Sequence, residues 1–100
     1  MPSRKPTALS RAAASRKLRR APGWVVRPRR LSREIRFQDF RQAMRFANRV
    51  ARVAEKIGHH PDITIHGYRH IRIETHTHAT GGLSSHDVAL ALAIENLLKS

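Results

Sequence analysis

The stretch QDFRQAMRFANRVARVAEKIGHHPDITIHGYRHIRIETHTH, residues 38–78, decides the fold. From about Gln38 to Ile57, the residues Phe40, Ala43, Met44, Ala47, Val50, Ala51, Ala54 and Ile57 recur at spacings of three and four. That period predicts an amphipathic helix with one buried stripe. Arg41, Arg45, Arg49, Arg52 and Lys56 lie off the stripe. Gly58 suits a helix C-cap, and Pro61 follows soon after, where a helix cannot continue. Residues 63–78 change to a period of two and read as two strands, turning at His66-Gly67. Ile71 and Ile73 share one face with Thr75 and Thr77, while His70, Arg72, Glu74, His76 and His78 take the other. One apolar and one polar face predict an antiparallel sheet covered on one side.

Between helix and strands stands His59-His60-Pro61-Asp62. Imidazole has an unperturbed pKa of about 6.5 and can give or take a proton near neutrality. Two imidazoles fixed beside a chain break suggest proton transfer. The plainer reading is a pair of surface histidines at a helix C-terminus, where a cation is mildly favoured.

Outward from this core, residues 8–20 suit a short helix with Ala12, Ala13, Ala14 and Leu18 as its apolar members, ended by Pro22-Gly23. Residues 24–37 read as extended and fold back in a hairpin around 28–31. Ser84 to about Leu98 forms a last helix, opened by Ser84-x-x-Asp87, a capping-box pattern with Asp in the acidic place. The expected fold is α+β: a four-stranded antiparallel sheet with helices packed on one face, in the order helix, two strands, helix, two strands, helix. One domain over residues 8–100 follows a flexible basic N-terminus at residues 1–7.

Composition narrows the chemistry. The 100 residues contain no Cys, which removes disulfides, thiolate zinc sites and Cys nucleophiles. No apolar run approaches the length of a membrane span. The net charge of +13 is concentrated at one end: residues 1–36 hold 12 Lys/Arg against one acid, Glu34. Such a segment can bind phosphate backbones without sequence preference. It is read first as a solvated Arg-rich segment, since Trp24 is its one aromatic, and nucleic acid is not the expected partner. Its Arg- and Ser-rich, acid-poor start also has the look of an organelle transit peptide, though a cytoplasmic location is the leading expectation.

Glu55, His59 and His60 end the long helix, His76 and His78 precede a Gly-rich loop, and Asp87 begins the last helix. Three element ends could meet at one cleft. His76-x-His78 suits metal ligation, but no His-Glu-x-x-His helix and no Cys accompany it, and no metal site is expected. There is no Gly-x-Ser-x-Gly elbow and no Gly-x-x-x-x-Gly-Lys phosphate loop. What remains is acid–base chemistry by histidines.

Phe37-Gln38-Asp39-Phe40, Ala43, Phe46, Val50, Ala51, Ala54-Glu55, His59-His60-Pro61-Asp62, Tyr68, Thr77-His78, Gly81-Gly82-Leu83-Ser84 and Asp87, with Pro22-Gly23-Trp24 before the first strand, resemble the pterin-4a-carbinolamine dehydratase family. The resemblance spans roughly residues 8–98. It implies removal of water from 4a-hydroxytetrahydropterin to give quinonoid dihydropterin, in the recycling of tetrahydrobiopterin after aromatic amino-acid hydroxylases. It implies no cofactor, the pterin being substrate, and a homodimer or homotetramer, with a hydroxylase as a candidate partner. Matched residue by residue, His59 and His78 are the proton-transfer candidates, and His60 and Glu55 orient the ring or its partners. Asp87 matches a motif position but equally suits a helix cap. Trp24 approaches the pocket or joins the core. One family member doubles as a dimerisation cofactor of a transcription factor, so a non-catalytic binding module is the alternative. Three departures stand out: Ala79 where many members carry an acid, one extra residue between Pro61 and Tyr68, and His76 as an additional imidazole.

Overall fold

The computed structural model describes residues 5–99. Its elements are α1 (Arg11–Lys17), β1 (Trp24–Val26), β2 (Leu31–Arg36), α2 (Phe40–Ile57), β3 (Asp62–His66), β4 (His70–Thr75), a single 3-10 turn (His78–Thr80) and α3 (Ser85–Lys99). The strands form one antiparallel sheet in the order β1-β2-β4-β3. Fold class and element order are those expected from the sequence. Of the N-terminal segment, residues 1–4 lie outside the described residues, while Thr7 and Leu9 hydrogen-bond along Leu83 and Ser85.

Register explains the two faces. Trp24 lies opposite Arg33, Arg33 opposite Ile73, and Ile73 opposite Ile63, so this row points to one side. Leu31, Ile71 and Ile73 are fully buried there, with Ala14 and Leu18 near α1, Ala43, Phe46, Val50 and Ala54 of α2, and Leu90, Ala91 and Ile94 of α3. Burying one such large aliphatic side chain contributes about 1.5–3 kcal/mol. The other face carries Glu34, Arg72, Glu74, His66 and His70, a polar surface.

The buried stripe of α2 is rotated from the expected one. Ala43, Phe46, Val50 and Ala54 face the core, with Val53 partly covered, whereas Phe40, Met44 and Ala51 are exposed. Two apolar rows run along this helix. Periodicity reports both, and only packing against the sheet and α3 selects one. A second difference lies at the end of β4. The strand stops at Thr75, and His78 begins the 3-10 turn instead of extending the strand. Thr77 still pairs with Gly82 through an isolated bridge, so the buried-face alternation survives as far as Thr77.

Two caps bring the site residues into place. Asp39 accepts from the Gln42 backbone at 2.8 Å and starts α2. At its other end Gly58 takes the left-handed conformation, φ 82°, and its N–H returns to the Ala54 carbonyl. An L side chain strains that geometry, so glycine fits it. The chain therefore turns off sharply at His59.

Candidate active site

Asp87 is the centre of the site. It sits in the first turn of α3, and its side chain is fully buried. A buried carboxylate needs partners to offset its desolvation, and Asp87 has them on both oxygens. Thr75 Oγ1 donates to Oδ1 at 2.6 Å, and Thr77 Oγ1 donates to Oδ2 at 2.7 Å. The Ser84 backbone N–H donates to Oδ2 at 3.0 Å, which is the expected capping contact. His59 Nε2 completes the set, 2.7 Å from Oδ1. The cap and the site are thus the same residue.

The direction of each bond follows. A carboxylate only accepts, so the His59 hydrogen resides on Nε2, and Nδ1 is the acceptor nitrogen of the neutral ring. Thr77 gives its hydroxyl hydrogen to Asp87, so its oxygen accepts from the Ser84 hydroxyl at 2.6 Å. Ser84 Oγ in turn accepts from the His86 backbone at 3.1 Å. Among the described residues no buried side-chain nitrogen or oxygen lacks a partner. The His86 ring stands edge-on to His59, with centroids 5.5 Å apart.

Thr77 links this network to a second histidine group. It lines a cleft of about 300 Å³ together with His76, His78, Arg29, Arg30, Gly81 and Gly82. The His76 and His78 Nε2 atoms are 3.4 Å apart, close enough to share one hydrogen when the tautomers are complementary. Thr77 is related to each proton-transfer candidate in a different way: its hydroxyl reaches the carboxylate that holds His59, and His78 follows it in the chain, while His59 itself is not among the residues lining the cleft.

The remaining candidates lie elsewhere. His60 pairs with Glu55 on the exposed end of α2, and neither lines the cleft. Trp24 is buried, and its indole N–H donates to Glu95 at 3.1 Å, where Arg33 Nε also binds at 3.3 Å. It belongs to the core side of the sheet and is absent from the cleft lining. Thr75, Thr77 and Ser84 were not read as site residues from the sequence. A signal existed for the threonines, since both fell on the face predicted to be buried, where a hydroxyl must find a partner. Arg29 and Arg30 carried no local signal. Among the described residues no group of three His, Asp or Glu side chains is arranged to hold a metal.

A family model described as "Pterin 4 alpha carbinolamine dehydratase" matches residues 7–97. The chain belongs to this family. A relative from Acidobacterium capsulatum, named "Putative pterin-4-alpha-carbinolamine dehydratase", is 42% identical over 90 residues, covering 90% of this chain and 97% of its own. A protein of the same name from Thermomicrobium roseum is 44% identical over 80 residues, covering 80% and 85% of the two chains. The crystal structure of a "transcriptional coactivator/pterin dehydratase" from Brucella melitensis superposes with a TM-score of 0.80 at 28% identity, over 91% of this chain and 98% of that one. A pterin dehydratase-like RuBisCO assembly factor of the alpha-carboxysome shares the fold, with a TM-score of 0.60 at 23% identity over 77% of this chain and 88% of its own. The family residues quoted from the sequence divide in space: Asp87 bonds His59 directly and also Thr77, the chain neighbour of His78, whereas His78 meets His76, His60 and Glu55 form a separate pair, and Trp24 sits in the core.

Proposed function

We propose that the chain dehydrates 4a-hydroxytetrahydropterin to quinonoid dihydropterin by histidine acid–base chemistry, without a metal or cofactor. The observation that supports this most is the buried Asp87 network, which fixes one tautomer of His59 and reaches the His78 cleft through Thr77. In the reaction the C4a–O bond breaks and the hydroxyl departs as water after receiving a proton. The N5–H proton passes to a base, and its electron pair forms the C4a=N5 bond. One imidazole serves as acid and the other as base. His59 enters with Nε2 committed to Asp87, so Nδ1 is its exchanging nitrogen. His78 works beside His76, which offers a route for its proton to solvent. His60 and Glu55, paired with each other outside the cleft, act on the site indirectly, through the end of α2 that carries His59. The physiological role is pterin recycling, with an aromatic amino-acid hydroxylase as candidate partner and a homodimer or homotetramer as the working form. No helix among the described residues is long and apolar enough to cross a membrane.

The test is a dehydration assay with 4a-hydroxytetrahydropterin generated in situ. His59→Ala and His78→Ala should each slow turnover by about 10²–10⁴-fold, the usual contribution of a general acid or base. Unchanged rates in both variants would overturn the proposal.

A second reading draws on the strongly basic N-terminal third and on the similarity to the Brucella protein named a transcriptional coactivator/pterin dehydratase. A nucleic-acid-binding role predicts affinity that falls steeply with salt and is lost when Arg16, Lys17, Arg19 and Arg20 are neutralised. No binding at low ionic strength would end it.

A further inference from the structure

The cleft beside His78 holds more positive charge than a proton transfer needs. Arg29 and Arg30 both line it, brought there by the β1–β2 turn, which the Arg27 N–H closes onto the Arg30 carbonyl at 2.9 Å. That turn rests against the Gly-rich loop: a Cβ on Gly82 would lie 3.6 Å from the Pro28 carbonyl oxygen and 3.7 Å from Arg29 Cα. The contact couples two segments far apart in sequence and brings both arginines into the cleft that His76 and His78 also line. The cleft lining includes no carboxylate. Glu74 takes Arg30 at 3.1 Å but lines the adjoining hollow, formed with Arg27, Pro28, Arg29 and Arg30. The volume of about 300 Å³ matches the lower end of small-molecule sites.

A pterin ring is uncharged and is read by a few polar groups, so it does not account for two arginines. Guanidinium forks match the oxygens of phosphate; Glu74 offsets the charge of Arg30, but among the described residues no carboxylate pairs with Arg29, and two arginines beside two imidazoles still favour an anion. We propose that Arg29 and Arg30, with His76, form a subsite for a phosphate group on the side chain of the pterin, making phosphorylated pterins the preferred substrate class. This rests on the pterin reading above and specifies its substrate.

The experiment measures binding of two stable oxidised pterins by fluorescence quenching, one with a free side-chain hydroxyl and one carrying its phosphate ester. The full chain at low salt should bind the phosphate ester at least about tenfold more tightly, as a charge-assisted contact implies. Added salt should shrink the preference. Inorganic phosphate should compete with the ester more than with the neutral pterin. Arg29→Glu should remove the preference, and Arg29→Lys should retain part of it. Arg41→Glu on α2 makes the same change of net charge away from the cleft and should leave the preference in place. Equal affinities, a preference that survives Arg29→Glu, or one lost with Arg41→Glu would overturn the subsite while leaving pterin binding intact. If neither pterin binds, the functional reading itself fails and the subsite with it.

Discussion

His59 and His60 are neighbours in sequence, and each meets a carboxylate, yet they lie in opposite environments. The His59 side chain is 13% exposed and Asp87 is 0% exposed. The His60 and Glu55 side chains are 63% and 75% exposed. Asp87 takes donors from four residues, an imidazole, two hydroxyls and a backbone N–H, while Glu55 meets a neighbour five residues on. In the interior a carboxylate is unscreened and its partners have nowhere else to turn. At the surface, water competes for every contact and the pair contributes little. The same chemical pair is thus a fixed device in one place and an adjustable one in the other.

The largest break of this comparison is Asp87→Ala. It leaves His59, Thr75, Thr77 and the Ser84 N–H without their acceptor, and should destabilise the chain by about 3–5 kcal/mol in chemical denaturation. Glu55→Gln should stay within about 0.5 kcal/mol. Similar losses for the two would erase the distinction. Turnover sharpens it next: His59→Ala should fall by about 10²–10⁴-fold in the dehydration assay, and His60→Ala by clearly less. Gly58→Ala comes third. It places a Cβ at φ 82° and should cost about 1 kcal/mol, with a loss of activity because His59 leaves its turn.

The smallest effect belongs to the outer sheet face. The Arg72 guanidinium, hydrogen-bonded to Glu34 with His66 nearby, holds the Glu34 carboxyl below its ordinary value of 4.5. A depressed carboxylate stabilises the fold above its unfolded pKa and loses that contribution as pH falls through the folded value. Glu34→Gln should therefore be slightly less stable than the parent at neutral pH, and the two acid-unfolding curves should converge below about pH 4. Half-exposure of Glu34 keeps the difference small.

The helix, hairpin and strand signals were legible because they are local. Gly58, Pro61 and the alternation from Ile71 to Thr77 each act within a few residues. The choice of apolar row on α2 was not legible: Phe40 and Met44 fit the helical period as well as Phe46 and Val50 do, and burial depends on what lies opposite. The role of Asp87 was half legible. Its cap to Ser84 spans three residues and showed in the pattern, whereas its bond to His59 spans 28. Thr75 and Thr77 were placed correctly on the inner face, but no partner for their hydroxyls could be named.

By itself the sequence determined the elements, their order, the buried face of the sheet and the helix end at which two histidines emerge. Those follow from backbone dihedrals, caps and side-chain period, all short-range. Tertiary structure decided which histidine receives the buried carboxylate and which remains in solvent, and it brought Arg29 and Arg30 to the cleft of His78. Such pairings are set by how α2, α3 and the β1–β2 turn pack together, because a buried charge takes its partners from whatever the fold places within hydrogen-bonding reach.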